Sequence, residues 1–566
     1  MSNYLPPVDE MIKTLAMSAG FENISKLPGY EDMDLETAEA ILHEAARLAA
    51  DVWAPLNKTG DVEGAKLDDN TVTPANGFKE AYQAYVKGGW NGLTHTPDYG
   101  GQGLPWVLGM AVNEMWQAAN MSLALNPMLT HAAIEALTEH GTDAQKNKYL
   151  EKLITGEWTG TMNLTEPQAG TDLSAIRTLA VKDGDHYRLR GQKIYITWGD
   201  HDFTDNIIHM VLARMEGLPE GNKGLGLFLV PKYLVADNGS LGARNDVYSV
   251  ALEHKLGIHG SPTCVMQYGE TDGAVGYLIG EAGAGLKNMF TMMNNARIAV
   301  GLQGVAIADR ACQAAHAYAQ ERVQSARLGS SDKTSVPIIE HGDVQRMIYD
   351  MQGKIMAGRA LAYYAGSCID QSRAGITEQD RAAAARRADF LTPLVKAWCT
   401  DMAVDVTSTA IQVHGGMGFI EETGVAQYYR DARILPIYEG TNGIQAMDFT
   451  FRKVIRDQGG EAMRYLAEMR ADLQAMSETA GYPVRGLGVA IETVEDTTRW
   501  ILNVENPDLA ATGAVKYTRQ FALMAAAMLA LRQVGSDKNV MIQGFVVNAM
   551  AEIQSMAVQV KAADRW

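Results

Sequence analysis

Apolar positions along the chain recur at two different periods, and the change of period divides it. In DLETAEAILHEAARLAADVWAPLN, the residues Ile41, Leu42, Ala45, Leu48, Ala49 and Val52 fall on one face of a helix. Asp34 stands where an N-cap carboxylate belongs, and Pro55 ends the run. The segment THTPDYGGQGLPW, from Thr94 to Trp106, is loop chemistry. Helical spacing returns in NEMWQAANMSLALNPMLTHAAIEAL, which predicts a helical domain over residues 1–159. HYRLRGQKIYITWG, NIIHMVLARM and GLGLFLVPKYL are then rich in β-branched and aromatic residues punctuated by Gly, Asp and Pro. They predict a central antiparallel β domain over residues 160–280.

From residue 281 the helical period resumes in three long runs with short connections, predicting a bundle to residue 456. Asp457-Gln458-Gly459-Gly460 marks a linker. Beyond it, residues 457–566 form a helical extension, in which Tyr517, Phe521, Met524, Met528 and Leu531 make a stripe read as core rather than as a partner or lipid surface. Strands and helices are segregated rather than alternating, so the fold class is α+β and not a doubly wound sheet.

Composition narrows the function. The 566 residues are 47% hydrophobic and 20% charged, ordinary for a globular protein, and the net charge of −18 argues against nucleic acid as a partner. The start lacks a basic n-region with an apolar core, and the longest apolar run, Phe521–Leu531, is too short to cross a bilayer. The expectation is a cytoplasmic protein with no transmembrane segment. Cys264, Cys312, Cys368 and Cys399 form no CxxC pair and read as buried free thiols. No metal site is expected. There is no GxGxxG after a strand, no P-loop, no HExxH and no GxSxG.

Two segments stand out. TMNLTEPQAGTD, from Thr161 to Asp172, reads as a turn with inward hydroxyls and free N–H groups; taken alone it is equally an ordinary loop. IQVHGGMGFIEETGVAQYYRDARILPIYEGTNGIQ breaks a helical pattern with glycines that let backbone approach a ligand. Its His414 reads as a structural residue, and Glu421 and Glu422 as a solvated loop. Glu439 differs, because Leu435, Ile437 and Tyr438 beside it would desolvate a carboxylate and raise its pKa, as a base for a weak carbon acid requires.

Seven patches, in order, resemble the acyl-CoA dehydrogenase family over residues 30–455: PDYGGQGLP, MNLTEPQAGTDLSAIRT, GQKIYITWG, MMNNARIAVG, YAQERVQ, QVHGGMGF and RDARILPIYEGTNGIQ. The C-terminal extension is similar to the longer bacterial branch, which includes 3-methylmercaptopropionyl-CoA dehydrogenases and broad-range fatty acyl-CoA dehydrogenases. The resemblance implies FAD as cofactor, an acyl-CoA substrate, and removal of two hydrogens from its α and β carbons. It places Glu439 as the catalytic base, taking the α-proton while a hydride passes to flavin N5, with the backbone N–H of Glu439 donating to the thioester oxygen. Medium- or long-chain acyl-CoA dehydrogenation, or an acyl-CoA oxidase on the same scaffold, are the alternatives. For 3-methylmercaptopropionyl-CoA the implied process is dimethylsulfoniopropionate degradation.

By the same resemblance Met162, Leu164, Thr165, Gly170 and Thr171 lie along the flavin, Thr171 replacing a commoner Ser and also reaching the substrate. Tyr195 replaces a Trp that shields the flavin, and Thr197 supplies a hydroxyl to it. Arg322, Gln324, Gln412, Gly415 and Gly416 match positions that reach the cofactor of a neighbouring subunit, which implies a homo-oligomer, a dimer or a tetramer. Thr441 is expected at the adenine end. Gly443 departs from a common Gln there. Asn294 and Arg297 are expected beside the CoA pantetheine, and Gly440 is expected to bind the substrate. The implied electron acceptor is an electron-transfer flavoprotein.

Overall fold

A computed structural model describes residues 4–477, 484–534 and 539–565. In chain order its principal helices are α1 (Leu35–Leu48), α2 (Trp106–Ala119), α3 (Met121–His140), α4 (Gly285–Glu321), α5 (Gly342–Ala374), α6 (Glu378–His414), α7 (Asn442–Met447) and α8 (Pro507–Leu531). Local signals account for several boundaries. The Asp34 carboxylate accepts from the Thr37 N–H at 2.8 Å and starts α1. Thr377 and Asp380 form a reciprocal capping box at the start of α6. The helical segment around Asn113 is divided into two helices, because the Asn120 side chain caps α3 through the Leu123 N–H. Apolar periodicity runs straight through that break, so the pattern alone conceals it.

The chain folds into two compact units. One comprises Asp51–Leu104 and Ala119–Ala296 and holds an eight-stranded sheet. Its strands are β1 (Trp158–Asn163), β2 (Leu179–Asp183), β3 (His186–Thr197), β4 (Asn206–Met215), β5 (Leu225–Pro231), β6 (Val247–Leu252), β7 (Thr263–Tyr268) and β8 (Ala274–Ile279). The order is β6-β7-β3-β8-β5-β4-β1, with β2 pairing β3 and β4. Most pairs are antiparallel, as expected, but β1 and β2 each run parallel to β4, with Gly160 opposite Ile208 and Leu179 opposite Arg214. Strand composition and alternation are the same for either direction, so the sequence does not distinguish them. Helix α3 covers β1: a Cβ at Gly160 would stand 2.5 Å from that of Ala133, and the Gly160 N–H is taken by the Thr130 hydroxyl. Glycine is required there for helix and strand to approach so closely.

The other unit comprises Met1–Ala50, Pro105–Ala118 and Arg297–Trp566. It is helical, with α5 and α6 as an antiparallel pair and α8 packed on both. Tyr517, Phe521, Met524, Met528 and Leu531 are all buried, so the stripe on α8 is core. Phe521 meets Phe390 at 5.2 Å and Phe449 at 5.5 Å between ring centroids, in edge-on geometry that ties the extension to the bundle. Among the described residues no helix is long and apolar enough to cross a membrane.

Candidate active site

Glu439 sits in a left-handed backbone conformation, φ 57°, followed by Gly440 at φ 83°. For a residue with a Cβ this conformation costs about 1–2 kcal/mol, and such strain persists only where surrounding contacts impose it. Those contacts are visible. The Asn442 N–H bonds the Pro436 carbonyl at 3.0 Å, closing the loop beneath Glu439. Gln445 Nε2 donates to the Glu439 carbonyl at 3.2 Å. Tyr438 anchors the other side through its buried hydroxyl, which donates to Gln303 Oε1, while Gln303 Nε2 donates to Gln117 Oε1. The Glu439 N–H has no acceptor among the described residues.

Glu439 is half-buried. Desolvation pushes its carboxyl up to about 7, against the opposing positive charges of Arg297 and Lys396. Leu435 is buried as expected, but Ile437 is 46% exposed and contributes less to that desolvation than its place beside the acid suggests. Beneath the loop, Lys396 is fully buried on α6 and bonds the Gly440 carbonyl and Asn442 Oδ1, each at 2.8 Å. Asn442 Nδ2 in turn donates to Asp401 Oδ1 at 2.7 Å. Sequence reading missed Lys396. Its one signal is a lysine set among Leu394, Val395, Ala397 and Trp398.

Around the base, Gly440 is partly covered, Thr441 is exposed and caps α7 through the Ile444 N–H, and Gly443 is exposed with room for a side chain. Arg297 is buried on α4, whereas Asn294, one turn earlier, is exposed. At the far end of the same bundle the Tyr318 and His414 rings stack at 4.4 Å, and His414 Nδ1 lies 2.7 Å from the Ala410 carbonyl. This contact brings the end of α4 to the end of α6, so Arg322 and Gln324 are gathered with Gln412, Gly415 and Gly416, all exposed. Arg322 also reaches Gln324 Oε1 at 3.3 Å.

In the sheet unit, Met162 lies near the end of β1, Leu164 and Thr165 follow just beyond it, and Gly170 and Thr171 lie exposed further on. β3 is bulged against β7: Ile196 faces Cys264, but Lys193 faces Met266, leaving two residues opposite one. The freed Ile194 N–H goes to the Thr165 carbonyl at 2.9 Å. Tyr195 takes φ 61° and holds its ring out, 60% exposed. Thr197 lies two residues on, half-buried and opposite Thr263. The bulge therefore brings Thr165 close to Tyr195 and Thr197 at the end of β3. A large ring thrust off a strand in a strained conformation suits a flat aromatic ligand, so these residues fit a flavin.

The sheet-side loop is fixed by a residue that sequence reading took only as part of a turn. Buried Glu166 accepts the Arg177 N–H at 2.7 Å, the Thr178 N–H at 3.0 Å and Lys193 Nζ at 2.8 Å. Lys193 also donates to the Leu164 carbonyl at 2.8 Å. Burial alone would raise the Glu166 carboxyl, but Lys193 and the hydrogen bonds outweigh it and bring it to about 2. Burial pulls Lys193 down to about 8 even with Glu166 opposing. At neutral pH the pair is charged.

Comparison with known proteins bears on this arrangement. The sequence matches three domain families in order: Acyl-CoA dehydrogenase, N-terminal domain, over residues 36–157; middle domain, over 161–270; and C-terminal domain, over 283–453. A 3-methylmercaptopropionyl-CoA dehydrogenase of Ruegeria pomeroyi is 50% identical over 469 residues, 83% of this chain and 79% of that protein. Two solved structures share the fold. Caenorhabditis elegans ACDH-11 in complex with C11-CoA has a TM-score of 0.77 at 20% identity, covering 99% of this chain and 95% of its own. An acyl-CoA dehydrogenase from Bacillus anthracis complexed with FAD has a TM-score of 0.73 at 22% identity, covering 95% and 90%. Three domain matches in sequence order, and a relative sharing half its residues along most of both chains, establish that the chain belongs to the acyl-CoA dehydrogenase family.

Proposed function

We propose that the protein catalyses FAD-dependent α,β-dehydrogenation of an acyl-CoA thioester to the trans-2-enoyl-CoA, with 3-methylmercaptopropionyl-CoA as its substrate. The observation that carries the reading is Glu439: one carboxyl in a strained bend, raised by burial to about 7, with an N–H that no described residue engages. FAD, when bound, supplies the acceptor for the β-hydride. Met162, Leu164, Thr165, Gly170, Thr171, Tyr195 and Thr197 would hold it on the sheet side. Glu439 takes the α-proton, and its backbone N–H donates to the thioester oxygen, where negative charge develops. Arg297 sits buried close enough to oppose the rise in the Glu439 pKa. Asn294 would lie beside the CoA pantetheine, and Gly440 would bind the substrate. The substrate assignment is supported by the name of the Ruegeria relative. An electron-transfer flavoprotein is the proposed acceptor, in the cytoplasm.

The test is a panel of CoA thioesters under anaerobic conditions, read by bleaching of the visible flavin absorbance and by dye reduction. Turnover should be fastest with 3-methylmercaptopropionyl-CoA. Faster turnover of a straight chain would overturn the substrate, and no bleaching with any thioester would overturn the reaction. Rapid reoxidation in air with peroxide formed would favour the oxidase.

The base must be ionised to act, so kcat/KM should rise with pH through an acid limb near 7, the value to which burial pushes Glu439. A profile flat down to pH 5 would contradict this. We further assign the cluster at the ends of α4 and α6 to a homodimer interface that completes the cofactor site, with Thr441 at the adenine end. Exposed Val323, Leu328, Met417, Phe419 and Ile420 surround Arg322 and Gly416 in sequence, an apolar patch of the kind that a partner covers. Arg322→Ala should lower retained FAD after dilution and gel filtration, and unchanged occupancy would refute the role.

A further inference from the structure

Lys396 is an unusual residue to bury. It is fully covered, and among the described residues it has no ion-pair partner; its ammonium bonds only the Gly440 carbonyl and the Asn442 side chain. A methionine would fill the same space without desolvating a charge. Burial draws the Lys396 ammonium down to about 7, opposed first by Glu439 and then by Asp401. The charged groups facing the base loop are therefore Arg297 from α4 and Lys396 and Asp401 from α6, with Tyr438 beside the base on the loop itself. Both acceptors of Lys396 lie just after Glu439, and Asn442 is also tied to α6 through the Ala397 carbonyl, Thr400 Oγ1 and Asp401 Oδ1. The left-handed turn at Glu439–Gly440 is thus pinned from below at its second residue.

We infer that Lys396 is the positioning residue of the base: its amine fixes the Glu439–Gly440 turn through the Gly440 carbonyl, and while it holds its proton its charge favours ionisation of the carboxyl in a desolvated site. The inference rests on the assignment of Glu439 as the base. It predicts that loop geometry and base ionisation are lost together when a neutral, non-donating side chain replaces the lysine. It also predicts that they separate when the replacement is neutral but still donates.

The experiment compares Lys396→Met and Lys396→Gln with the wild type as FAD-loaded enzymes, measuring kcat and KM against pH and, independently of turnover, the melting temperature against pH. In Lys396→Met the acid limb of kcat/KM should move up by about one pH unit, because a nearby opposite charge typically shifts a carboxyl by about 1–3 units. Its kcat on the high-pH plateau should fall by about 10- to 100-fold with KM changed less than about threefold, the mark of lost positioning rather than lost binding. Lys396→Gln should show the same limb shift but recover part of the plateau kcat. In the wild type a lysine with a lowered folded pKa binds fewer protons folded than unfolded, so stability should rise as pH increases from about 7 toward 10. Both variants should show a smaller rise, keeping the part contributed by Lys193, whose ammonium burial draws down to about 8. A limb unmoved in both variants, or a full plateau kcat in Lys396→Met, overturns the inference. If Lys396→Met does not fold, the limb in Lys396→Gln and the difference between its melting profile and that of the wild type decide it. A wild type inactive with every acyl-CoA overturns the base assignment instead, and the melting profiles still report on Lys396.

Discussion

Glu439→Gln should keep FAD and still bind acyl-CoA, but lose turnover by about 10²–10⁴-fold, the usual effect of removing a positioned general base. The amide keeps the shape of the carboxyl and leaves the backbone N–H, so KM should change little while kcat collapses. The same substitution should make the protein more stable at neutral and higher pH. A carboxyl raised from 4.5 to about 7 by burial contributes stability that is fully present below its unfolded pKa, and loses it as pH rises through the folded value. Glutamine has no charge to desolvate, so above pH 7 the variant escapes that loss, an effect of at most about 3 kcal/mol. Thermal unfolding at pH 8 should show a midpoint a few degrees above wild type, and at pH 4 the two should nearly coincide. A variant that loses stability at pH 8 along with activity would mean that the carboxylate is structural, and that the loop needs its charge. Retained turnover would remove Glu439 as the base altogether.

How much of this was legible in the sequence varied with the range of the interaction. Short-range chemistry read well. Asp34 capped its helix as its position indicated, and the buried face of α8 followed from helical spacing. The α+β class emerged from local patterning, because β-branched runs and helical stripes are segregated along the chain. Contacts set by distant partners did not read. One local signal was also hidden: Asn120 caps a helix only three residues on, but inside a stretch buried on every side, where no polar face marks a change of direction. The parallel pairing of β1 with β4 depends on which edge a strand joins, which no local pattern encodes.

The site divides the same way. Glu439 could be singled out as an isolated acid among Gly and apolar residues, and its raised pKa was anticipated. Its left-handed backbone was not, because a bend in the sequence does not specify which residue takes positive φ. Tyr195 was expected as a shield on the strength of a motif, whereas the β-bulge that turns it outward arises from a register shift against β7, some 70 residues away. Lys396 and Glu166 escaped notice for a common reason. Each looks like a routine polar residue in its own segment, and each acquires meaning only from a partner far along the chain.

Glu166→Ala should be the most damaging substitution on the sheet side. Removing it leaves the Lys193 ammonium buried without its counter-charge and leaves the Arg177 and Thr178 N–H groups without their acceptor. Breaking one partner of a buried pair in this way costs about 3–5 kcal/mol. The loss should be local as well as global, because Lys193 immediately precedes the bulge at Ile194–Tyr195 and also holds the Leu164 carbonyl. The FAD content of the purified variant should therefore fall, together with its melting temperature. Acid should act on the wild type through the same pair: a carboxyl lowered to about 2 contributes stability present above 4.5 and lost as pH falls through the folded value. The Glu166→Gln/Lys193→Met double variant separates the two effects. Neutralising both partners removes the uncompensated charge, so much of the stability should return. The Lys193 bond to Leu164 and the anchoring of the Thr165 loop stay lost, so FAD retention should remain low. Full recovery of both would show that the pair only balances charge and does not position the cofactor-facing loop. Recovery of neither would show that packing around Lys193, rather than the ion pair, holds the strand.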